Sequence, residues 1–381
     1  MIVSKKAIKK YKSLGVPDGY FNPVNVPLYS DKYFWICTER STGKTTNILL
    51  LGMCCNWIDG MEIQYIRQFE PMIERRNLSK LFDVIKEYHY IEEITEGNYT
   101  DLIYTAHKWY YCNYDDNGKL LDRASDPFMS CLSVDQNEIY KSTYNAPKGD
   151  YIIFDEAISN RYPQDEFIRF CDIIKTIIRG RTDPIIWMLG NTIDRNHPYF
   201  YEMELQDIVN TMPLGSHAET VTSQGTPIYV DFYSPGATPE KAYHNKLFFG
   251  FRNKKLGAIT GKDWSITPMP HPSIDDTRTV LLNRYFILYE DRYLQLQLCH
   301  GEVDGLHVVA YFATKQPTKN SFIFTLGLSL DWRYKYKFGH TKADKLIWTL
   351  YERKKFFYTS NAVGAVINKY YESAHSYKRL Y

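Results

Sequence analysis

The sequence is missing several features, and each gap closes off a class of protein. No apolar run approaches the roughly 20 residues of a membrane-spanning helix, so no membrane partner is expected. The seven cysteines, Cys37, Cys54, Cys55, Cys112, Cys131, Cys171 and Cys299, are scattered, and no pair has the spacing and partners of a zinc site. Several stand in apolar runs, as buried thiols do, and their odd number suits a reducing compartment. Residues 1–6 lack the long apolar stretch and cleavage site of a secretory leader, so the cytoplasm is the expected location. Net charge is also small. The 46 Lys and Arg against 44 Asp and Glu leave +2, which does not announce a nucleic-acid binder. No internal repeat or low-complexity tract is evident.

What is present suits a globular protein of two domains: 381 residues, 44% of them hydrophobic and 24% charged. Charge is uneven along the chain. Residues 332–381 hold 11 Lys and Arg against three Asp and Glu, which makes either a basic binding surface or a solvated face.

One stretch organises the rest. Tyr33-Phe34-Trp35-Ile36-Cys37 is apolar, Thr38-Glu39-Arg40-Ser41-Thr42-Gly43-Lys44-Thr45-Thr46 follows, and residues 48–58 are again mostly apolar. This reads as strand, loop and helix. Such a loop wraps backbone N–H groups around a polyphosphate at a helix N-terminus. Lys44 would reach the β- and γ-phosphates, and the Thr45 hydroxyl would ligate magnesium. The pattern is incomplete. Thr38 stands where the first glycine belongs, and Glu39 and Arg40 replace small residues. Gly-Lys-Thr also recurs by chance, so a plain exposed turn is the alternative.

The second half of such a site is at Asp150-Tyr151-Ile152-Ile153-Phe154-Asp155-Glu156-Ala157. An apolar strand delivers two carboxylates at its C-terminal end, the edge where open α/β sheets bind ligands. Asp155 can hold magnesium through water, and Glu156 can polarise an attacking water. A strand followed by a solvated acidic turn is the alternative. The two motifs in this order favour ATP and Mg2+, bound where two neighbouring strands present an ammonium and a carboxylate pair. A third strand, 185–189, ends in Gly190-Asn191-Thr192. Asn191 can bond the attacking water or the γ-phosphate, or merely stabilise a turn. Arg67 would end a strand on the same edge, with a phosphate or DNA role or an ordinary salt bridge. Tyr20 and Phe21 either stack on adenine or pack in the core.

The remaining pattern is coarser. A short helix is expected at 5–14, a strand at 62–67, and a helix from Pro71 through Tyr88. Strands and hairpins follow over 98–145, with Asp115-Asp116-Asn117-Gly118 as a turn. A helix begins near Pro163 and ends at Arg179-Gly180-Arg181. Residues 210–240 are rich in Pro, Gly, Ser and Thr and read as a hinge, with Tyr229-Val230-Asp231-Phe232 as a short strand. Beyond it come a strand at 247–251, a hairpin of 284–289 and 293–298, strands at 306–312 and 322–326, and a helix at 342–356. The expected division is 1–210 for a nucleotide domain, 211–240 for a linker or small hinge subdomain, and 241–381 for a second domain.

With these motifs placed, the chain resembles the DNA-encapsidation ATPases of small podophages with protein-primed genomes, the Picovirinae packaging proteins. Through them it resembles terminase large subunits. The resemblance covers most of residues 20–200 and rests beyond that on domain order and length. It implies an α/β fold: a P-loop NTPase of the additional-strand, catalytic-glutamate (RecA-like) class, then a mixed α/β, RNase H-like vestigial nuclease domain. In that family an arginine is often placed inside the phosphate loop, and Arg40 matches it. The acidic pair maps to Asp155 and Glu156. Arg179, with Arg181 as its rival, resembles the finger that enters a neighbour's site, though each could be a helix C-cap interaction.

The resemblance also implies partners: double-stranded DNA, the portal and procapsid, and a homo-oligomeric ring, pentameric in relatives. A structural packaging RNA belongs to only some of them. The implied place is the host cytoplasm, transiently at the procapsid and not in the mature virion. Glu290, Asp291 and Asp304 cluster in turns, so the second domain is expected to hold DNA, procapsid or RNA rather than cut DNA. Another ring-forming DNA translocase or helicase-like ATPase is the competing enzyme. Fused helicases carry a second nucleotide-binding domain, which is not seen here. A nucleic-acid-binding protein without catalysis is the non-enzymatic alternative.

Overall fold

Phe34, Trp35, Ile36 and Cys37 follow one another without a polar residue, and all are fully buried. A strand with no solvent face belongs in the middle of a parallel sheet. Each large side chain so buried contributes about 1.5–3 kcal/mol. The computed structural model places the strand there. It describes residues 3–28, 32–39, 41–159, 162–163, 165–182, 184–191, 195–234, 269–272, 279–289, 292–318, 321–326, 334–336 and 342–377. Arg40, Glu290, Asp291, the strand expected at 247–251 and the later part of the expected hinge lie outside these.

The chain divides into two compact units, Met1–Arg161 with Glu166–Ser265, and Ile266–Tyr381 with Tyr162–Asp165. The first is built on a ten-stranded sheet. Its strands are β1 (Tyr33–Thr38), β2 (Ile63–Arg67), β3 (Asp101–Thr105), β4 (Lys108–Tyr114), β5 (Leu120–Arg123), β6 (Met129–Ser133), β7 (Tyr151–Phe154), β8 (Ile185–Asn191), β9 (His217–Val221) and β10 (Pro227–Tyr233). The order is β3-β4-β6-β2-β7-β8-β1-β10-β9, with β5 beside β4. From β6 to β10 all neighbours are parallel, and antiparallel strands close both sides. The sequence expectation that the loop strand β1 and the acidic strand β7 are neighbours is therefore not met. β8 lies between them and brings Asn191 to the same edge.

Helix α1 is Lys5–Ser13 and α2 is Lys44–Asp59. Most of α2 is apolar and buried, as a helix hidden on several sides must be. It stops at Gly60, whose φ of 72° caps the last turn and whose N–H bonds Asn56 and Cys55 carbonyls.

Two elements depart from the sequence expectation. The single helix from Pro71 to Tyr88 is broken into a 3-10 turn, Glu70–Ile73, and short helices Arg75–Leu78 and Asp83–Glu87. Side chains take carbonyls a continuous helix would use: Asn77 Nδ2 donates to Pro71 O and Tyr104 Oη to Ile73 O, both at 2.5 Å. The stretch read as a hinge contains β9 and β10, and β10 covers the short strand expected at 229–232. β10 pairs in parallel with β1, and its Ile228, Val230 and Phe232 are buried, so sheet packing outweighs the turn-rich composition.

The second unit holds a six-stranded mixed sheet. β11 (Val280–Tyr289), β12 (Arg292–Gly301) and β13 (Gly305–Phe312) form an antiparallel meander. β14 (Ile323–Thr325), β15 (Tyr334–Tyr336) and β16 (Phe356–Tyr358) add in parallel, giving the order β15-β14-β11-β12-β13-β16. Helices Lys342–Glu352 and Asn361–Tyr377 complete it. No helix among the described residues is long and apolar enough to cross a membrane.

Candidate functional site

β2, β7, β8 and β1 are consecutive parallel neighbours, so their C-terminal ends share one edge. In register, Thr38 lies beside Asn191, Phe154 beside Met188, and Ile66 beside Phe154. The loop after β1 is braced from beneath. Thr38 is fully buried in the strand. Its hydroxyl donates to Glu39 O at 2.7 Å and accepts from Thr42 Oγ1 at 2.7 Å. These hydroxyl bonds stand where the usual loop has a glycine. Ser41 and Gly43 then take positive φ, 61° and 73°. At Gly43 a Cβ would come within 2.9 Å of the Tyr20 ring, so the position needs glycine twice over.

Gly43 is the N-cap of α2 and offers no side-chain cap to its first turn. Those N–H groups, with the positive end of a 16-residue helix, form an anion cradle. Lys44 follows, nearly buried, and its Nζ donates to Asn191 Oδ1 at 2.7 Å. A buried ammonium in a cradle of amide donors fits a polyphosphate. Thr45 Oγ1 donates to Asp155 Oδ1 at 3.1 Å. Two hard oxygen donors this close fit magnesium, which keeps waters and phosphate oxygens as its other ligands.

The Asp155 carboxylate is buried and well supplied with donors. Tyr65 Oη donates to Oδ2 at 2.7 Å, Glu156 N to Oδ1 at 3.1 Å, and Arg67 Nη1 lies 3.6 Å from Oδ2. Burial, helped by the adjacent Asp155 charge, pushes the Tyr65 phenol well above its ordinary pKa, so it stays a donor. Glu156 sits at φ 57°, a conformation that costs a non-glycine residue about 1 kcal/mol and that concentrates at functional sites. Its carboxylate is half-exposed and paired with Arg67, Nη2 to Oε2 at 2.5 Å. Arg67 therefore grips both acidic residues.

The structure thus brings Lys44, Thr45, Asp155, Glu156, Asn191 and Arg67 together. It does not bring Arg179 or Arg181 to them within this chain. Arg181 Nε pairs with Asp150 Oδ1 at 2.6 Å, and Arg179 Nη2 donates to Tyr144 O at 2.5 Å. Asp150 precedes β7, so these arginines lie at the opposite edge of the sheet. Phe21 is core: it is buried against Tyr233 at 5.5 Å, and its backbone is stitched to Thr42 O and Asn47. Tyr20 is half-exposed. It lines a cavity of about 300 Å³ with Ser41, Gly43, Thr46, Tyr88 and Tyr90. The Tyr88 and Tyr90 rings stack at 5.6 Å. Sequence reading missed these two because the broken helix hides their spacing. It missed Tyr65 because a tyrosine inside an apolar strand gives no polar signal.

A larger cavity of about 730 Å³ lies between residues 16–27 and the β9–β10 pair. Asp231 lines it, and burial pushes its pKa up to about 6 while His217 and the Tyr229 hydroxyl pull the other way. A carboxyl raised on folding contributes stability below its unfolded value of 3.8, and loses it as pH rises through about 6. Asp231→Asn is therefore expected to raise the melting temperature at about pH 7.5, with the gain shrinking toward about pH 4.5. Thermal melts at the two pH values check this.

No protein-family model matches the chain, and none of the curated proteins compared with it does. Solved structures do. The Phi-28 gp11 DNA packaging motor matches with a TM-score of 0.60 and 16% identity, over 94% of this chain and 98% of that one. The bacteriophage Phi-29 viral genome packaging motor assembly matches with a TM-score of 0.57 and 16% identity, over 93% of this chain and 99% of that one. At this identity the likeness is one of fold: a mixed α/β architecture related to that of phage packaging motors, along nearly the whole chain.

Proposed function

We propose that the chain is an ATP hydrolase that drives viral double-stranded DNA into a preformed procapsid, as one subunit of a ring motor docked at the portal. The observation that carries this is the convergence of Lys44, Thr45, Asp155, Glu156 and Asn191 at one sheet edge. β8 inserted between β7 and β1 supports the additional-strand, catalytic-glutamate P-loop class.

In this reading the α2 N-terminus and Lys44 bind the phosphates, and Thr45 with Asp155 hold magnesium. The metal supplies charge neutralisation at the phosphoryl oxygens. Glu156 aligns and deprotonates water, for which its carboxylate must turn from Arg67 to the substrate. Asn191 moves from Lys44 to the γ-phosphate or its water and so senses whether that group is present. Arg40 adds a loop cation, and Arg179 or Arg181 serves a neighbouring subunit's site. The Tyr20, Tyr88 and Tyr90 cavity flanks Thr46, where the nucleoside end would lie. DNA is gripped through its backbone, which lets a packaging motor ignore sequence.

The meander of β11–β13 with parallel β14 and β15 beside it supports an RNase H-like second domain. Strands β11–β16 carry no Asp or Glu, which supports a domain without two-metal chemistry. Its partners are DNA, procapsid or a structural RNA. Purified chain with procapsids and double-stranded DNA tests the whole reading. DNA-stimulated ATP hydrolysis and nuclease-protected DNA inside the shells are expected. Hydrolysis with strand separation and no protected DNA would favour a helicase-like ATPase, and no hydrolysis a binding protein.

A further inference from the structure

We propose that Tyr65 is a positioning residue for Asp155, its hydroxyl anchoring one carboxylate oxygen so that the other is presented toward Thr45. The inference rests on the reading of this edge as a magnesium–nucleotide site. Tyr65 and Arg67 are two residues apart on β2, so both side chains leave the same face. Tyr65 is fully buried, and its ring is held by the core under the sheet edge.

The direction of the hydrogen bonds follows from the groups themselves. A guanidinium can only donate, an ionised carboxylate can only accept, and a phenol has a single proton. Arg67 Nη1 must therefore donate to Tyr65 Oη, at 3.2 Å, and Tyr65 Oη to Asp155 Oδ2, at 2.7 Å. With Oδ2 anchored, Oδ1 faces Thr45 Oγ1 at 3.1 Å, on the α2 side. Each carboxylate oxygen has its own duty. Without the phenol oxygen, the nearest cation to Oδ2 is Arg67 at 3.6 Å, the same arginine that holds Glu156. Only the Glu156 N–H on Oδ1 then opposes a turn of the carboxylate toward Arg67 and away from Thr45. Tyr65→Phe removes one oxygen and keeps the ring that packs.

Partners that orient a metal ligand typically change metal affinity by about 10–100-fold. The test is binding of a fluorescent ATP analogue, titrated with magnesium chloride, to wild type, Tyr65→Phe, Asp155→Asn and the double variant. Tyr65→Phe is expected to raise the magnesium concentration for half-maximal binding by about tenfold. Magnesium-free nucleotide binding should stay near wild type. In the Asp155→Asn background the tyrosine change should add less than about twofold, because it acts through that carboxylate. An unchanged magnesium requirement in Tyr65→Phe, or an equal effect in both backgrounds, overturns the proposal. Failure of wild type to bind nucleotide at all would instead overturn the site reading beneath it.

Discussion

Glu156→Gln is expected to lower ATP turnover by about 10²–10⁴-fold, the usual contribution of a positioned general base. Nucleotide affinity should stay within a few-fold of wild type. Glu156 stands one residue beyond the acidic strand at φ 57°, with its side chain half-exposed toward the edge and not buried against the cradle. Glutamine keeps the size and can still accept from Arg67, but it cannot take a proton. The residues proposed to bind phosphate and metal, Lys44, Thr45 and Asp155, are untouched. Steady-state hydrolysis together with equilibrium nucleotide binding separates the two effects. A loss of affinity at unchanged turnover would assign Glu156 to binding alone.

Lys44→Ala is expected to act on the other quantity. One or two charge-assisted hydrogen bonds to phosphate, at about 1.5–3 kcal/mol each, correspond to roughly ten- to ten-thousandfold in Kd. The Lys44 ammonium is nearly buried at the start of α2, with Nζ on Asn191 Oδ1 at 2.7 Å. Calorimetric titration with ATP checks the loss. Near-wild-type affinity would leave the cradle without its proposed ligand.

The parts of the fold that could be read from residues are those whose pattern is local. Apolar runs gave away β1, β2, β7 and β8, and the polar residue closing each run, Thr38, Arg67, Asp155 or Asn191, marked the edge. Lateral order was hidden. β8 is closer in sequence to β7 than to β1, yet it hydrogen-bonds both, and nothing local records that. The long helix was expected from apolar spacing alone. It breaks because Asn77 and distant Tyr104 compete for its carbonyls. The hinge composition around 210–240 was real, but Ile228, Val230 and Phe232 satisfy a strand position next to β1. In the site, charged residues advertised themselves. Tyr65, a buried aromatic among apolar neighbours, did not, and neither did the grip of Arg67 on two carboxylates at once.

The most direct measurement is a high-resolution structure of the chain with magnesium and a non-hydrolysable ATP analogue. The triphosphate is expected on the backbone amides of residues 41–46, with Lys44 turned from Asn191 to phosphate and the metal against Thr45 and Asp155. A nucleotide bound elsewhere, with the Lys44–Asn191 and Thr45–Asp155 contacts intact and no metal between them, would contradict it.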